Sequence, residues 1–348
     1  MKVKNIKYHQ YDYKTPSKNL QKYIKMLEDA GVEDPAGLLP KATFETLGFE
    51  LSESYSAFAN AFRRTLIEDI PVQCMALDDK DFKTDDRYLL IDVVKDRLSM
   101  IHILQDEFPG IKISLKVYNK TSSIISVYAS DIVTIYNGKR IALIPNDNIE
   151  IFRLRPNKTL ELKNIYLERG YGKNNPTKFT LPSNIQYRIL DVEPYNIFTK
   201  TGSKSTEVNP QEFYIGFKTS GNISAKDVIR LVQQELTSRL MKVKKQILGE
   251  EVGLEIQESD GVMRYRFTGE YITMAMLLAQ TCYRLDNTVD YCSGTFDRFD
   301  NEVAIVSIKH PEHHRLLLDS VDSIVDDINH VCKQIISAEK SPGKTEKK

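Results

Sequence analysis

The sequence predicts an α+β fold built from two similar units that pair with each other inside one chain, as an internal pseudo-dimer. Two observations lead to this prediction. The order of strand, helix, strand and long helix occurs twice, and in each copy the last helix carries a long apolar stripe. The first copy is interrupted by a series of short β-branched runs, which predicts a β-rich inserted domain within the first unit.

The chain begins with a polar, basic stretch, residues 1–40, which we interpret as an N-terminal extension. Its first 25 residues hold seven lysines and one aspartate, which favours a solvated, partly disordered end. Residues 20–27 place apolar side chains at helical spacing ahead of Gly31, so one short helix is expected there.

The first unit starts at residue 41 with a strand over residues 42–51. Apolar side chains then recur every three or four positions over residues 55–70. This spacing predicts an amphipathic helix that Ser52 caps and that Pro71 stops.

The inserted domain is predicted over residues 77–198. Its β-branched runs lie at 111–117, 124–127, 132–136 and 141–144. The dipeptide Asn137-Gly138 separates two of these runs, and such a dipeptide is typical of a tight hairpin turn.

The first unit resumes over residues 199–249, so that residues 41–76 and 199–249 together form it. After a strand at 213–219, Ser224 can cap a helix over residues 225–248 that Gly249 ends.

Residues 250–340 repeat this order without the insertion and form the second unit. The predicted elements are a hairpin around Ser259-Asp260-Gly261, a helix at 273–285, strands at 289–296 and 303–309, and a helix at 311–338. Residues 341–348 are lysine-rich, and we interpret them as a disordered basic tail.

The apolar stripes of the two long helices are expected to face each other and to pair the two units. Neither unit has enough elements to cover its own stripe. The residues predicted to make this intramolecular contact are Leu236, Leu240, Val243, Val321, Val325 and Ile328.

Composition excludes several classes of function. The chain has 48 basic and 48 acidic residues, whereas proteins that hold nucleic acid alone usually carry a basic excess. The longest apolar run is far shorter than the roughly 18 residues of a membrane span, so no membrane contact is expected. The four cysteines include no CxxC pair, and no catalytic motif stands out, so the sequence predicts no metal, no cofactor and no catalytic residue.

One helix carries a specific motif. The stretch 58–66 reads FANAFRRTL and is followed by Ile70-Pro71. It resembles the signature helix of the bacterial RNA polymerase alpha subunit, of the archaeal D subunit and of the third-largest subunit of eukaryotic RNA polymerase II. The loop RGYGKNNPTK at 169–178 is similar to a paired-glycine loop of the same family.

The second unit resembles the smaller partner of that subunit, the archaeal L or the eleventh eukaryotic subunit. Glu270 and Thr273 match its E-D-H-T-L-G-N motif and Ala275 takes the glycine position, whereas Tyr271 and Ile272 depart from it. The two partners are separate chains in cellular organisms. Their fusion resembles the fused subunit of large cytoplasmic DNA viruses, which implies a location in the host cytoplasm, in viral factories, and in the virion.

The resemblance implies a non-catalytic assembly subunit of a multisubunit DNA-directed RNA polymerase. Its partners would be the largest and second-largest subunits and a small tenth or N-type subunit, with DNA and RNA reached only through the complex. The residues implied in partner binding are Asn60, Arg63, Arg64, Gly170, Gly172 and Lys173. Some family members hold a cysteine-ligated metal in the insertion, but residues 75–198 contain no cysteine.

Each of these residues also has a simpler interpretation. Arg63 and Arg64 could form a solvated face or pair with Glu68 on the same helix, and Asn60 could tie the helix to a strand. Gly170 and Gly172 could mark only a tight turn with positive φ. The alternative functions are a virion structural protein and a stand-alone nucleic-acid-binding protein that retains the fold.

Overall fold

The computed structural model of the chain describes residues 1–11, 18–32, 35, 44–191, 210–300 and 302–338. The tail predicted over residues 341–348 lies outside them. The helices are α1 (Lys18–Asp29), α2 (Ser56–Arg64), α3 (Ile91–Ser99), α4 (Ala225–Ile247), α5 (Ile272–Leu285) and α6 (His313–Ser337). The strands are β1 (Lys2–Tyr11), β2 (Phe44–Ser52), β3 (Pro71–Ala76), β4 (Phe82–Thr84), β5 (Lys112–Tyr118), β6 (Ile125–Tyr128), β7 (Val133–Tyr136), β8 (Lys139–Arg140), β9 (Glu150–Leu154), β10 (Thr159–Tyr171), β11 (Ser183–Ile189), β12 (Phe213–Lys218), β13 (Leu254–Ser259), β14 (Val262–Thr268), β15 (Tyr291–Phe296) and β16 (Val303–Lys309). The predicted α+β class is therefore confirmed.

Two four-stranded antiparallel sheets have the same strand order. Sheet 1 runs β1-β2-β12-β11 and sheet 2 runs β13-β14-β16-β15. In both, a short helix follows the second strand and a long helix follows the last one, so each strand of sheet 1 has a counterpart in sheet 2.

The helices of the two halves pack on each other in two pairs. Helices α4 and α6 run antiparallel, since Lys226 Nζ donates to the Ile336 carbonyl at 2.7 Å while Lys244 Nζ lies 2.6 Å from Asp322 Oδ1. Helices α2 and α5 also pack on each other, and Tyr55, just before α2, shares a buried hydrogen bond of 2.7 Å with the hydroxyl of Thr281 on α5. Both sheets and all four helices contribute to one apolar core.

A second core lies within residues 75–167. It is formed by α3, the sheet β3-β10-β5-β7-β8 with β4 beside β10, and the two-stranded sheet β6-β9. The chain enters this unit through β3 and returns to the first half after β10. These two strands pair with each other, with Pro71 opposite Tyr171.

The structure differs from the predicted division of the chain at two strands. Strand β1 lies in the segment that we interpreted as an extension, and β11 lies in the range assigned to the insertion, yet both pair within sheet 1. Both are edge strands of sheet 1, and the sequence pattern of a strand does not show which sheet it joins.

Several local predictions are confirmed. The hairpin at Asn137 and Gly138 joins β7 to β8 with both residues at positive φ. The hydroxyl of Ser224 accepts from the Asp227 amide at 3.1 Å and caps α4. The predicted Ser52 cap is wrong, because Ser52 ends β2 and Tyr55 is the residue before α2.

Candidate docking site

The site is built on α2, whose inner face is held by aromatic packing. Phe58 and Phe62 are fully buried, and the Phe62 ring meets that of Phe49 edge-on at 5.7 Å. The sequence predicted one helix up to Pro71. The chain instead widens into a π-helix over Thr65–Asp69, a form often found at functional sites.

The two arginines of α2 are held in different ways. The guanidinium of Arg63 donates to Asn60 Oδ1 at 2.8 and 3.1 Å and forms no ion pair with a described residue. Arg64 lies 2.5 Å from Glu68 Oε2, with 34% of its side chain exposed. The simpler interpretation therefore holds for Arg64, which has an acidic partner on its own helix, and Asn60 orients Arg63.

The interpretation of Gly170 and Gly172 as a positive-φ turn is wrong. Neither has a positive φ, and both lie where a side chain would collide with this chain itself. A Cβ on Gly170 would lie 2.5 Å from the Phe179 ring. A Cβ on Gly172 would overlap the backbone carbonyl oxygen of Ile67, in the π-helix. The second glycine therefore permits a close approach to the chain's own backbone.

Lys173 joins this loop to the C-terminal half. Its amide donates to the Glu68 carbonyl at 3.1 Å. Its ammonium lies 3.3 Å from the Tyr271 hydroxyl and 4.8 Å from the centre of the Tyr271 ring. The hydroxyl of Tyr271 in turn donates to Glu302 Oε1 at 3.1 Å. Within the described residues, Lys173 thus contacts this chain's own second half.

Sequence reasoning missed a buried cluster of charges around Arg239 of α4. The guanidinium donates to Asp69 Oδ2 at 2.8 Å and to Glu270 Oε2 at 2.6 Å and 3.1 Å. The three side chains are 13%, 11% and 2% exposed. Arg239 therefore links the π-helix, the long helix of the first half and Glu270, two residues before α5. Its position between the buried Leu236 and Leu240 was the signal in the sequence.

The pKa values of Arg239 and of the nearby Glu235 are both raised, for different reasons. Burial acts to lower the pKa of Arg239, but the charges of Glu270 and Asp69 outweigh it and raise that pKa. Burial raises the pKa of Glu235, one turn earlier on α4, with smaller contributions from Asp69 and Glu270. The site thus holds more acidic than basic groups close to Arg239.

These elements surround an open cleft of about 470 Å³. Arg64, Gly172 and Lys173 line it from the first half, while Tyr271 and Phe296 line it from the second. Its walls combine charged side chains with apolar surface, a combination that occurs at protein interfaces. Of the residues implied in partner binding, the structure gathers Arg64, Gly172 and Lys173 here, whereas Arg63, Asn60 and Gly170 do not line the cleft.

The residues predicted to pair the halves lie on α4 and α6 and belong to the core that both halves share. Five of them are buried and Val325 is partly buried at the edge of the same core.

The four cysteines are free, and burial raises the pKa of Cys74 to about 11 and that of Cys332 to about 12. Among the described residues, no group of three or more His, Cys, Asp or Glu could hold a metal ion. No helix in that part of the chain is both long and apolar enough to cross a membrane.

Comparison with known proteins identifies relatives of the chain. It is 24% identical over 142 residues to the DNA-directed RNA polymerase RPB3-11 homolog of African swine fever virus (isolate Pig/Kenya/KEN-50/1950), covering 40% of this chain and 39% of the relative. It is 29% identical over 138 residues to the DNA-directed RNA polymerase subunit Rpo3 of Pyrococcus furiosus, covering 38% and 51%. The predicted resemblance to RNA polymerase subunits is therefore confirmed. The name of the viral relative joins the two subunit types that the sequence analysis recognised, and the matched region spans about two fifths of that relative's length. No family model matches the chain.

Proposed function

We propose that this chain is a non-catalytic assembly subunit of a multisubunit DNA-directed RNA polymerase. The two halves, each with its own sheet, pair as an internal pseudo-dimer and present a platform on which the largest and second-largest subunits dock. A small tenth-type subunit would join them, and the large subunits would supply catalysis. As the resemblance to the fused subunit of large cytoplasmic DNA viruses implies, the chain would act in the host cytoplasm and enter the virion.

The observation that carries this proposal is the partly buried Arg63 on the signature helix. Its guanidinium is oriented by Asn60 and has no carboxylate partner among the described residues. A planar guanidinium held in one orientation can bind a carboxylate or backbone carbonyls of a partner in pairs. The cleft beside Arg64 supports the same surface, because both halves must be packed together before its walls exist.

The test is co-purification from cells that express all polymerase subunits. Replacing Arg63 and Arg64 by alanine should leave the isolated chain folded and block recovery of the second-largest subunit. The matched control is Arg230→Ala, which removes an arginine from the exposed Arg230–Asp227 pair of α4. Normal recovery of the large subunit with the double variant would refute the proposed docking role.

A further inference from the structure

The outer face of the inserted unit's sheet, β3-β10-β5-β7-β8 with β4 beside β10, carries a group of lysines. Along β5, the alternate residues Ile113 and Leu115 are buried in the core, so Lys112 and Lys116 point away from it. On the neighbouring strands, Lys83 of β4 and Lys163 of β10 are also exposed, whereas Phe82 and Leu162, which precede them, pack into the core. Four lysines therefore share one solvent-facing surface.

The register of the strands places three of these charges side by side. Glu161 of β10 lies opposite Lys116 on one side and opposite Lys83 on the other. It lies 3.4 Å from the ammonium groups of both Lys116 and Lys163. As the acidic side chain between them, it offsets one of four positive charges and leaves an excess of three on this face. The Lys116 side chain remains 80% exposed despite the contact.

Two aromatic rings stand on the same face. Tyr118 ends β5 and is 50% exposed, and Tyr166 of β10 is 45% exposed. Tyr118 lies opposite Thr159, beyond the charged row, while Tyr166 follows Ile165, which lies opposite Ile113. At about 6.6 Å for every two residues, β5 spaces Lys112, Lys116 and Tyr118 over roughly 20 Å. Asp85, which accepts from the Thr159 amide, marks the acidic edge of the surface at the Tyr118 end.

We infer that this basic face, defined by Lys83, Lys112, Lys116, Lys163, Tyr118 and Tyr166, binds single-stranded nucleic acid directly. Lysines spaced along a strand neutralise the phosphates of an extended backbone, and exposed tyrosines offer surfaces on which bases stack. An acidic protein surface is the alternative occupant, and competition with poly-L-glutamate in the test below distinguishes it from nucleic acid. The inference goes beyond the proposed function, which brings the chain to nucleic acid only through its partners, and the face lies in a different sheet from the docking cleft.

The test is fluorescence anisotropy with the purified full chain and a labelled twelve-residue oligo(dT) or oligo(U). Replacing Lys83, Lys112 and Lys116 by glutamine should weaken binding at low salt. With about 0.7 counterions released per phosphate contact, it should also flatten the slope of log K against log salt by roughly 2. The matched control replaces Lys245, Lys309 and Lys333, three exposed lysines elsewhere, and should leave the slope unchanged.

A second variant separates stacking from charge. Tyr118→Leu should weaken binding about tenfold without changing the salt slope. Three results would overturn the inference: no binding of either oligonucleotide at 50 mM salt, an equal loss with the control lysines, or indifference to Tyr118 combined with equally strong competition by poly-L-glutamate. Because these measurements use the isolated chain, they are independent of whether Arg63 and Arg64 dock a large subunit.

Discussion

Removing the charge of Arg239 should be among the most destabilising single changes in the chain. We consider Arg239→Met, which keeps the length of the aliphatic stem and deletes the guanidinium. The substitution leaves Glu270, whose side chain is 2% exposed, and Asp69, at 11%, as neighbouring buried carboxylates without their shared cation. Breaking a buried ion pair in this way costs about 3–5 kcal/mol, a large share of the roughly 5–15 kcal/mol that stabilises a typical domain.

The measurement is the free energy of unfolding from urea titration, followed by far-ultraviolet circular dichroism. Arg230→Met on the same helix is the control. It breaks an exposed pair with Asp227 and should cost no more than about 1 kcal/mol. A triple variant, Asp69→Asn, Arg239→Met and Glu270→Gln, should recover most of the loss, because no buried charge then lacks a partner. If Arg239→Met costs no more than Arg230→Met, the cluster does not hold the two halves together.

Three further predictions concern the contacts around this cluster. Cleavage at an inserted protease site between Glu251 and the almost fully exposed Val252 should leave two fragments that co-elute. Leu236→Asp should separate the fragments, since an unpaired buried charge costs several kcal/mol. Fragments that separate without any substitution would contradict the pairing of the halves. Gly172→Ala should destabilise the chain by about 1–3 kcal/mol, because the new Cβ would collide with the Ile67 carbonyl oxygen. The Cβ of Gly170→Ala would instead collide with the Phe179 side chain. Phe179→Leu should therefore restore stability to the Gly170→Ala variant but not to the Gly172→Ala variant. Glu235→Gln should raise the free energy of unfolding at pH 7, because the folded-state pKa of Glu235 is raised and its charged form opposes folding above that pKa. This gain in stability should disappear below the ordinary pKa of 4.5, where the carboxyl group is neutral in both states. Unfolding curves of both proteins at pH 4 and pH 7 would measure the difference.

Much of the fold could be read from periodicity, and the failures share a physical origin. Helices α4 and α6 bury one face along their whole length, so the spacing of their apolar residues identified both within about two residues. Strand β1 could not be found in this way, because six of its ten residues are lysine, asparagine, histidine or glutamine. In addition, Asn5 adopts a positive φ at a bulge, which interrupts the alternation.

The candidate site was less accessible to sequence reasoning than the fold. The motif around Arg63 led to the prediction of a docking role for α2, but partners such as Glu68 for Arg64 depend on side-chain geometry. Arg239, Asp69 and Glu270 are far apart in the chain, and only folding brings them together. The basic face escaped notice because net charge averages over the whole chain, whereas the register of β4, β5 and β10 determines which lysines become neighbours.

The pairing of Pro71 with Tyr171 has a consequence for how such a chain could change over time. Because the inserted segment begins and ends on two paired strands, β3 and β10, sheet 1 does not fix the length of this segment. Residues can be gained or lost between these two points while β2, α2, β11 and β12 keep their positions. The corresponding connection in the other half, from α5 to β15, spans only residues 286–290. The two halves thus differ in the length of one connection, which holds an inserted unit from Pro71 to Tyr171 in the first half and only a short turn in the second.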